Sequence, residues 1–497
     1  MNDHEKSDSI IVAVKPTNKA GQPGTEPVER RMGAEENTEQ QSTSRVQNRT
    51  SVSQALERVR QVARQKKNEK FTSLLHHVNP EHLKEAYYAL KHNAAPGVDG
   101  VTWKEYGAND LELKLADLHD RIHRGAYRAQ PARRQYIPKA DGSKRPLAIA
   151  ALEDKIVQKA VANVIGAIYE QDFMGFSYGF RPGRCQHDAM DALIVGIEKR
   201  KVNWILDVDI RKFFDSVSQN WLVRFLEHRI ADRRIIRLIQ KWLKAGVLED
   251  GLVTVSDEGT GQGSVISPLL SNVYLHYVID LWAEQWRRQE AKGDMIIVRF
   301  ADDIVCGFEF EADAKRFWDA MRGRLEAFAL SLNPDKTRLI EFGRSATNNR
   351  QRKGLGKPET FRFLGFTFIT STTRAGKFLI KRKSRKDRMA VKLKAIKEVL
   401  RRNRHQPVPV LGKWLRRVVR GYFEYHAVPT NIEALTKFRY DVVYLLWRVL
   451  LRRSQRDRTT LRRITKIADD FLPKPRILHP MPAKRFTVKH PRWEPCA

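Results

Sequence analysis

Residues 296–308 read Ile296-Ile-Val-Arg-Phe-Ala-Asp-Asp-Ile-Val-Cys-Gly-Phe308, and upstream of them stands Trp204-Ile-Leu-Asp-Val-Asp-Ile210. The first stretch is two short apolar runs around a polar turn, the pattern of a hairpin with Asp302 and Asp303 at its tip. The second is a strand that carries Asp209. Taken alone, Asp-Asp at a hairpin tip is ordinary turn chemistry. With apolar runs on both sides and a D-V-D-I strand to meet, it reads as more than that. A mixed strand-and-helix domain brings the two sites together. Carboxylates gathered at one point repel each other and lose hydration, so they make sense around a divalent metal. Magnesium favours few carboxylates, some waters and substrate phosphate oxygens, and a pair of such ions stabilises the attacking and leaving oxygens of an in-line phosphoryl transfer. Asp207 lies two residues before Asp209 on the same strand face; it is either an auxiliary ligand or a polar strand-end residue.

Composition points the same way. The chain has 497 residues, 41% hydrophobic and 9% aromatic, which suits several folded domains rather than a disordered chain. Its formal net charge of +33 implies a polyanionic partner, either nucleic acid or an anionic membrane surface. Residues 371–497 hold 34 Lys+Arg against 9 Asp+Glu, so the last quarter is the main phosphate-gripping candidate. Cys185, Cys306 and Cys496 are far apart, which excludes a C-x-x-C pair, a disulfide framework and a zinc finger, and fits a reducing compartment. The apolar run 10–14 is too short for a signal peptide, and no stretch reaches the roughly 20 apolar residues of a spanning helix. A soluble protein of the cytoplasm or nucleoid, with no membrane partner, is expected.

Along the chain, residues 1–50 are polar and read as a flexible tail. Val52, Leu56, Val59 and Ala63 recur at helical spacing among arginines and lysines over 52–68, a solvated surface helix or an RNA-facing one. A helix and then a loop, A-A-P-G-V-D-G, lie between Asn79 and Tyr106, and Asp141-Gly142-Ser143 supplies the turn of a basic hairpin tip over 139–145. Helices are expected over 153–169, near 218–245 and over 268–289, with a strand at 363–368. After Lys377 apolar residues at helical spacing mark three basic helices, broken by Pro407, Pro409 and Pro429. The end from Phe471 is Pro-rich, basic and expected to be extended. Gly175-Phe-Ser177-Tyr-Gly179 fits the hydrolase G-x-S-x-G, but Glu170-Gln-Asp before it and Arg181-Pro-Gly after it deny the strand and helix which that elbow requires. Gly354-Leu-Gly-Lys357 lacks the Ser/Thr and spacing of a phosphate loop.

Eight blocks then stand in one order: N-A-A-P-G-V-D-G at 93–100, I-P-K-A-D-G-S-K-R-P-L at 137–147, F-S-Y-G-F-R-P-G-R at 176–184, D-V-D-I-R-K-F-F-D at 207–215, G-T-G-Q-G-S-V-I-S-P-L-L-S-N at 259–272, R-F-A-D-D at 299–303, L-N-P-D-K-T at 332–337 and F-L-G-F at 363–366. From about Ser51 to the C-terminus the chain resembles the group II intron-encoded reverse transcriptases and maturases. The resemblance implies an α+β fold, a right-hand polymerase with fingers and a ferredoxin-like palm, followed by an α-helical thumb or maturase domain. It divides the chain into a tail (1–50), an N-terminal extension with fingers (51–190), a palm (191–372), a helical thumb/maturase segment (373–470) and a basic Pro-rich tail (471–497). Asp209, Asp302 and Asp303 become the ligands of two Mg²⁺ ions. Lys139 and Arg145 would hold the incoming triphosphate, or are a solvated basic hairpin. Phe214 would pack under the sugar and exclude a 2′-OH, or is a core aromatic, and the two are compatible. Gln262 would lie near the nascent base pair, and Lys336 would neutralise charge beside the carboxylates or is a surface lysine.

W-L-R-R-V-V-R-G-Y-F-E-Y-H-A-V at 414–428 resembles the maturase region. Its Arg416, Arg417 and Arg420 are read as RNA contacts, and most of Trp414, Tyr422, Phe423 and Tyr425 as core. Two departures stand out: Gly261 and Ser264 replace the usual Pro and Gly, which loosens the loop, and Phe300 replaces the usual Tyr beside the carboxylates. A cysteine-bearing H-N-H endonuclease is not expected. The implied function is an RNA-directed DNA polymerase that binds its intron RNA, assists splicing and copies the intron into DNA for mobility (retrohoming). Its partners would be intron RNA, an RNA template with DNA primer, dNTPs and target DNA, with a homodimer left open. The alternatives are an RNA-binding splicing factor on an inactive polymerase scaffold and a reverse transcriptase recruited to antiviral defence.

Overall fold

The computed structural model describes residues 39–138, 144–249, 251–256, 258–453 and 459–490, with side chains from residue 52 onward. In chain order its strands are β1 (Ala132–Pro138), β2 (Lys144–Ile149), β3 (Trp204–Asp209), β4 (Val247–Glu249), β5 (Leu252–Thr254), β6 (Met295–Phe300), β7 (Asp303–Phe308), β8 (Arg338–Glu341), β9 (Phe361–Phe363), β10 (Phe366–Thr372) and β11 (Phe378–Ser384). By contact the chain forms two units. Of the described residues, one unit takes those within 39–135, 146–174 and 214–285, the other those within 136–138, 144–145, 175–213 and 286–490. A largely helical insertion separates β3 in sequence from its sheet partners β7 and β8. Among the described residues no helix is long and apolar enough to cross a membrane.

In the first unit, helix Leu152–Tyr169 is buried on most of its sides, with Ile156, Val157, Ala160, Val161, Val164 and Ile165 inside along with Asp154, Lys155 and Gln158. A helix of that kind must be central, and helices Glu39–Gln65, Pro80–Ala89 and Ser267–Leu275 pack on it. The helix expected over 52–68 thus begins at Glu39; residues 1–38 of the expected tail lie outside the described residues. The expected helix 218–245 is two helices, Gln219–Glu227 and Arg233–Lys244, and Asp232 between them caps the second through the Arg234 amide. A short hairpin, β4–β5, follows. The strand order of its sheet is β2-β1-β4-β5, with β1 parallel to β4 over Ala132 and Arg133.

Arg229 ties the unit together from inside. Its guanidinium is buried, pairs with Asp172 at 2.9 Å and donates to the carbonyls of Lys66 and Glu69 at 3.0 Å. A cation is thereby placed on the carbonyl end of helix Glu39–Gln65, where the helix dipole favours it.

The second unit is built on the antiparallel sheet β6-β7-β3-β8. Taken as first to fourth in sequence, β3, β6, β7 and β8 lie in the order 2-3-1-4. Helix Gln186–Lys199 packs on β6, and helix Glu311–Glu326 packs on β3 and β7. A second sheet, β9-β10-β11, joins the same core: Phe361, Phe363, Phe366 and Phe368 bury against Ile205, Val298, Val305 and Phe342. Beyond it, helices Lys386–Arg402, Val408–His426, Ile432–Leu450 and Leu461–Phe471 share another core, centred on Leu400, Leu415, Phe438 and Leu446.

The C-terminal end departs from expectation. Residues Pro482–Lys489 are helical, not extended, and pack on helix Gln186–Lys199. Lys489 meets Asp188 at 2.6 Å, and Arg485 joins Arg382 on the buried Asp191. The segment reads as a basic tail because its acidic partners lie far away in sequence.

Replacing Arg229 with Met removes the counter-ion of buried Asp172. Unfolding free energy in urea should fall by about 3–5 kcal/mol. An Asp172→Asn/Arg229→Met double variant should recover part of that loss.

Candidate active site

At one end of the four-stranded sheet, Asp209 of β3 stands directly opposite Asp303 of β7. Phe300 pairs with Asp303, so only Ala301 and Asp302 form the connection between β6 and β7. A two-residue hairpin loop needs positive φ at its first central position, and Ala301 has φ 56°. The strand period thus puts Asp303 on the cross-strand pair while the tight turn carries Asp302. Asp207, two residues back on the face of Asp209, pairs with Arg338 at 3.6 Å.

The β3 end is fixed from the other side. The Asp209 carbonyl accepts from the Asn333 amide at 2.8 Å, and the Arg211 amide donates to the Ser331 carbonyl at 2.9 Å. The L-N-P-D-K-T segment is therefore strapped across this strand end. It brings Lys336 Nζ to 3.6 Å from the Asp209 carboxylate.

Like charges opposite one another on neighbouring strands are unfavourable, and the carboxyls register it. Burial and the Asp209 charge raise the pKa of Asp302, while Arg145 and Arg299 oppose the rise. Burial and the charges of Asp302, Asp209 and Asp207 push Asp303 up to about 6, although its outer edge reaches solvent. Burial chiefly, with Asp209, raises Asp207 to about 6 against the pull of Arg338. Among the described residues no three His, Cys, Asp or Glu close a metal cage. The Asp site is an open edge of hard oxygen donors that repel one another. That donor set suits a divalent ion which completes its shell with water and phosphate oxygens.

Beneath the turn lies a support that sequence reasoning passed over. Arg299, fully buried, donates to the Ser177 hydroxyl at 2.7 Å and to the Ala301 carbonyl at 3.1 Å. Its backbone bonds the 176–178 segment on both sides: the Arg299 amide to the Phe176 carbonyl at 2.9 Å, and the Tyr178 amide to the Arg299 carbonyl at 2.8 Å. Arg181 donates to the Ser177 carbonyl at 2.7 Å. A Cβ on Gly179 would sit 2.2 Å from the Ala301 nitrogen, so only glycine lets the two backbones approach this closely. Ser177 is thus a buried buttress and no nucleophile. The F-S-Y-G-F-R-P-G-R block carried this signal, but nothing in it said which turn it would support.

Phe214 and Gln262 belong to the first unit, where both line one cavity of about 300 Å³ together with Arg134, Asp154 and Gln158. Phe213 is the core aromatic here, 2% exposed, whereas Phe214 is half-buried. The loop with Gly261 and Ser264 is well anchored: the Thr260 amide donates to the Phe214 carbonyl at 2.8 Å, and the Ala148 amide to the Gln262 carbonyl at 2.6 Å. The Ser264 hydroxyl donates to Gln158 at 2.9 Å, so the serine supplies an anchor. Lys139 lies outside the described residues. Arg416, Arg417 and Arg420 are exposed on helix Val408–His426, while Tyr422 and Phe423 are buried in the helical core.

Residues 137–368 match the family model for reverse transcriptase (RNA-dependent DNA polymerase). Among curated proteins, Protein YkfC of Escherichia coli is 36% identical over 319 residues, 55% of this chain and 82% of that one. The group II intron-encoded protein LtrA of Lactococcus lactis is 34% identical over 226 residues, 44% of this chain and 37% of its own. This chain belongs to the group II intron-encoded reverse transcriptases and maturases. A 91 kDa protein in the cob intron of Schizosaccharomyces pombe is 37% identical over 192 residues, 38% of this chain and 23% of its own. The alignments thus cover most of the first relative but well under half of the other two. The matched reverse transcriptase segment contains all of Asp209, Asp302, Asp303, Phe214, Gln262 and Lys336.

Gly179→Ala should displace the turn under Asp302 and lower unfolding free energy by several kcal/mol in urea titration. Gly175→Ala, where an added Cβ meets nothing within 4 Å, should change it by less than about 0.5 kcal/mol. Equal effects of the two substitutions would remove the close-approach argument.

Proposed function

We propose that the chain is an RNA-directed DNA polymerase that also binds its intron RNA and assists splicing. The observation that carries this reading is the cross-strand pair Asp209–Asp303 with Asp302 in the adjoining turn, inside a segment that matches reverse transcriptases. Asp209, Asp302 and Asp303 would hold two Mg²⁺ ions, which when bound supply charge stabilisation of the attacking and leaving oxygens. Arg145 and Lys139 would hold the incoming triphosphate, and Lys336 would balance the carboxylates between turnovers. The four-stranded sheet order supports a ferredoxin-like palm at 191–372, with fingers in 51–190, a thumb or maturase segment at 373–470 and a basic tail from 471. Copying the intron into target DNA follows as the mobility step. The alternatives, an inactive splicing scaffold and a recruited defence enzyme, have no observation that favours them; the complete carboxylate set speaks against the first.

Asp302→Asn should abolish primer extension on a primed RNA template with Mg²⁺ and dNTPs, a loss of several orders of magnitude, while RNA binding and splicing of the cognate intron persist. Arg416, Arg417 and Arg420 changed together to Gln should do the reverse, weakening intron binding and flattening its salt dependence by about two in log–log slope. Splicing lost with the carboxylate and untouched by the arginines would refute the assignment.

Sugar selection gives a separate check. Phe214 is half-buried and shares a cavity with Gln262, as a ring reserved for a nucleotide would. Phe214→Val should raise ribonucleotide relative to deoxyribonucleotide incorporation by tenfold or more in single-nucleotide extension. An unchanged ratio in an active enzyme would leave Phe214 as a packing residue.

A further inference from the structure

Helix Ile432–Leu450 buries Leu435, Phe438, Val442, Val443, Leu446, Val449 and Leu450 in the helical core. Its opposite side carries Lys437, Tyr440, Tyr444 and Arg448, all exposed and all on one stripe by helical spacing. Tyr440 is 57% exposed and Tyr444 39%. The aromatic residues of the neighbouring helix behave otherwise. Tyr422 and Phe423 are buried, and Tyr425 donates its hydroxyl to the Leu364 carbonyl at 2.7 Å. Two large rings left in water one turn apart, with a cation at each end, need a partner that takes both π-faces and positive charge.

The surroundings choose that partner. Residues 371–497 carry 34 Lys+Arg and 9 Asp+Glu, so a second copy of this segment would be repelled and a polyanion drawn in. Lys437 is engaged only in an exposed pair with Asp441 at 3.4 Å among the described residues, and such a pair is worth well under about 1 kcal/mol and easily exchanged for a phosphate. Tyr444 is backed by Trp447, with ring centroids 5.5 Å apart. The Trp447 indole is itself held by a hydrogen bond to the Thr459 carbonyl at 2.7 Å. The platform is therefore partly pre-set.

We propose that this stripe is a stacking platform for unpaired nucleotides of RNA, with one base on Tyr440, another on Tyr444, and the flanking phosphates against Lys437 and Arg448. The proposal deepens the RNA-binding reading above and rests on it. Residues four apart on a helix are separated by about 6 Å along the axis, whereas stacked bases in a duplex strand are about 3.4 Å apart. Neighbouring bases that remain stacked on each other cannot match that spacing. The stripe thus selects opened-out strand, such as a loop, over duplex.

The test uses the full chain and a short oligouridylate, with a duplex of equal length for comparison. Photo-crosslinking with 5-iodouridine in the oligomer should place adducts on Tyr440 and Tyr444 when peptides are mapped by mass spectrometry. Tyr440→Leu/Tyr444→Leu should weaken oligomer binding at least tenfold by fluorescence anisotropy, with the salt slope unchanged and duplex binding little affected. Tyr440→Phe/Tyr444→Phe should bind as the wild type does, because the π-face and not the hydroxyl is used. Lys437→Gln/Arg448→Gln should flatten the salt slope by about 1.4. Adducts elsewhere together with unaltered affinity in the folded Leu variant would overturn the proposal. So would a Leu variant that changes self-association in sedimentation and not RNA affinity, since the face would then bind protein. Primer extension by the same wild-type preparation separates the two readings: an active enzyme whose Leu variant still binds tightly refutes the platform alone, whereas a wild type that neither extends primers nor binds RNA refutes the polymerase reading.

Discussion

Asp209 and Asp303 face each other across two hydrogen-bonded strands, and their charges push apart. Several contacts near them resist that push. The 332–337 segment clamps the end of β3, a turn with Ala301 at positive φ closes β6 onto β7, and buried Arg299 anchors the turn to Ser177. Glycine at 179 lets the supporting backbone come close enough to bear on that turn. Burial first, and neighbouring carboxylate charge after it, raise the carboxyl pKa values of Asp302 and Asp303. That charge is what a bound cation would relieve, and it makes the site attractive to one.

Much of this was readable from residue order. Apolar runs around Asp302-Asp303 fixed a hairpin, and the two-residue period put Asp207 and Asp209 on one face, because both signals are local. The three helices Lys386–Arg402, Val408–His426 and Ile432–Leu450 followed from their apolar spacing for the same reason, whereas Leu461–Phe471 was not anticipated. What sequence could not supply was long-range pairing. Arg229 looks like any basic residue until Asp172 and the end of the first described helix are brought to it. Arg485 and Lys489 look like a solvated tail until Asp191 and Asp188 appear beside them. Exposure was equally hidden. Aromatic residues at 414–425 and those at 440 and 444 have similar local patterns, yet the first group mostly packs inward and the second lies open. Only the placement of neighbouring helices decides which side of an amphipathic segment meets solvent.

The substitutions in the 259–264 loop show how a local departure is absorbed. Glycine at 261 gives up the restraint of a proline, but backbone bonds from Thr260 and to Gln262, with the Ser264 hydroxyl on Gln158, hold the segment at several points. Rigidity lost from one residue's dihedral angles is recovered through contacts around it. Loops of this kind tolerate sequence change so long as their anchors stay.

The helical insertion between β3 and β6 also has a consequence for biosynthesis. Among the described residues strand β3 pairs with β7 and β8, both made long after it. At roughly 5–20 residues per second on the ribosome, the D-V-D-I strand emerges and waits on the order of ten seconds for its first partner. During that interval its apolar residues Ile205, Leu206 and Val208, all buried in the finished sheet, have no native strand beside them. The helices of the insertion emerge meanwhile and depend on local contacts, which form quickly. The first compact unit therefore has time to organise around helix Leu152–Tyr169 before the carboxylates can meet. The Asp209–Asp303 pairing is one of the later events in the life of the nascent chain, and a ribosome stalled before residue 303 carries a strand β3 whose Asp209 has no partner yet.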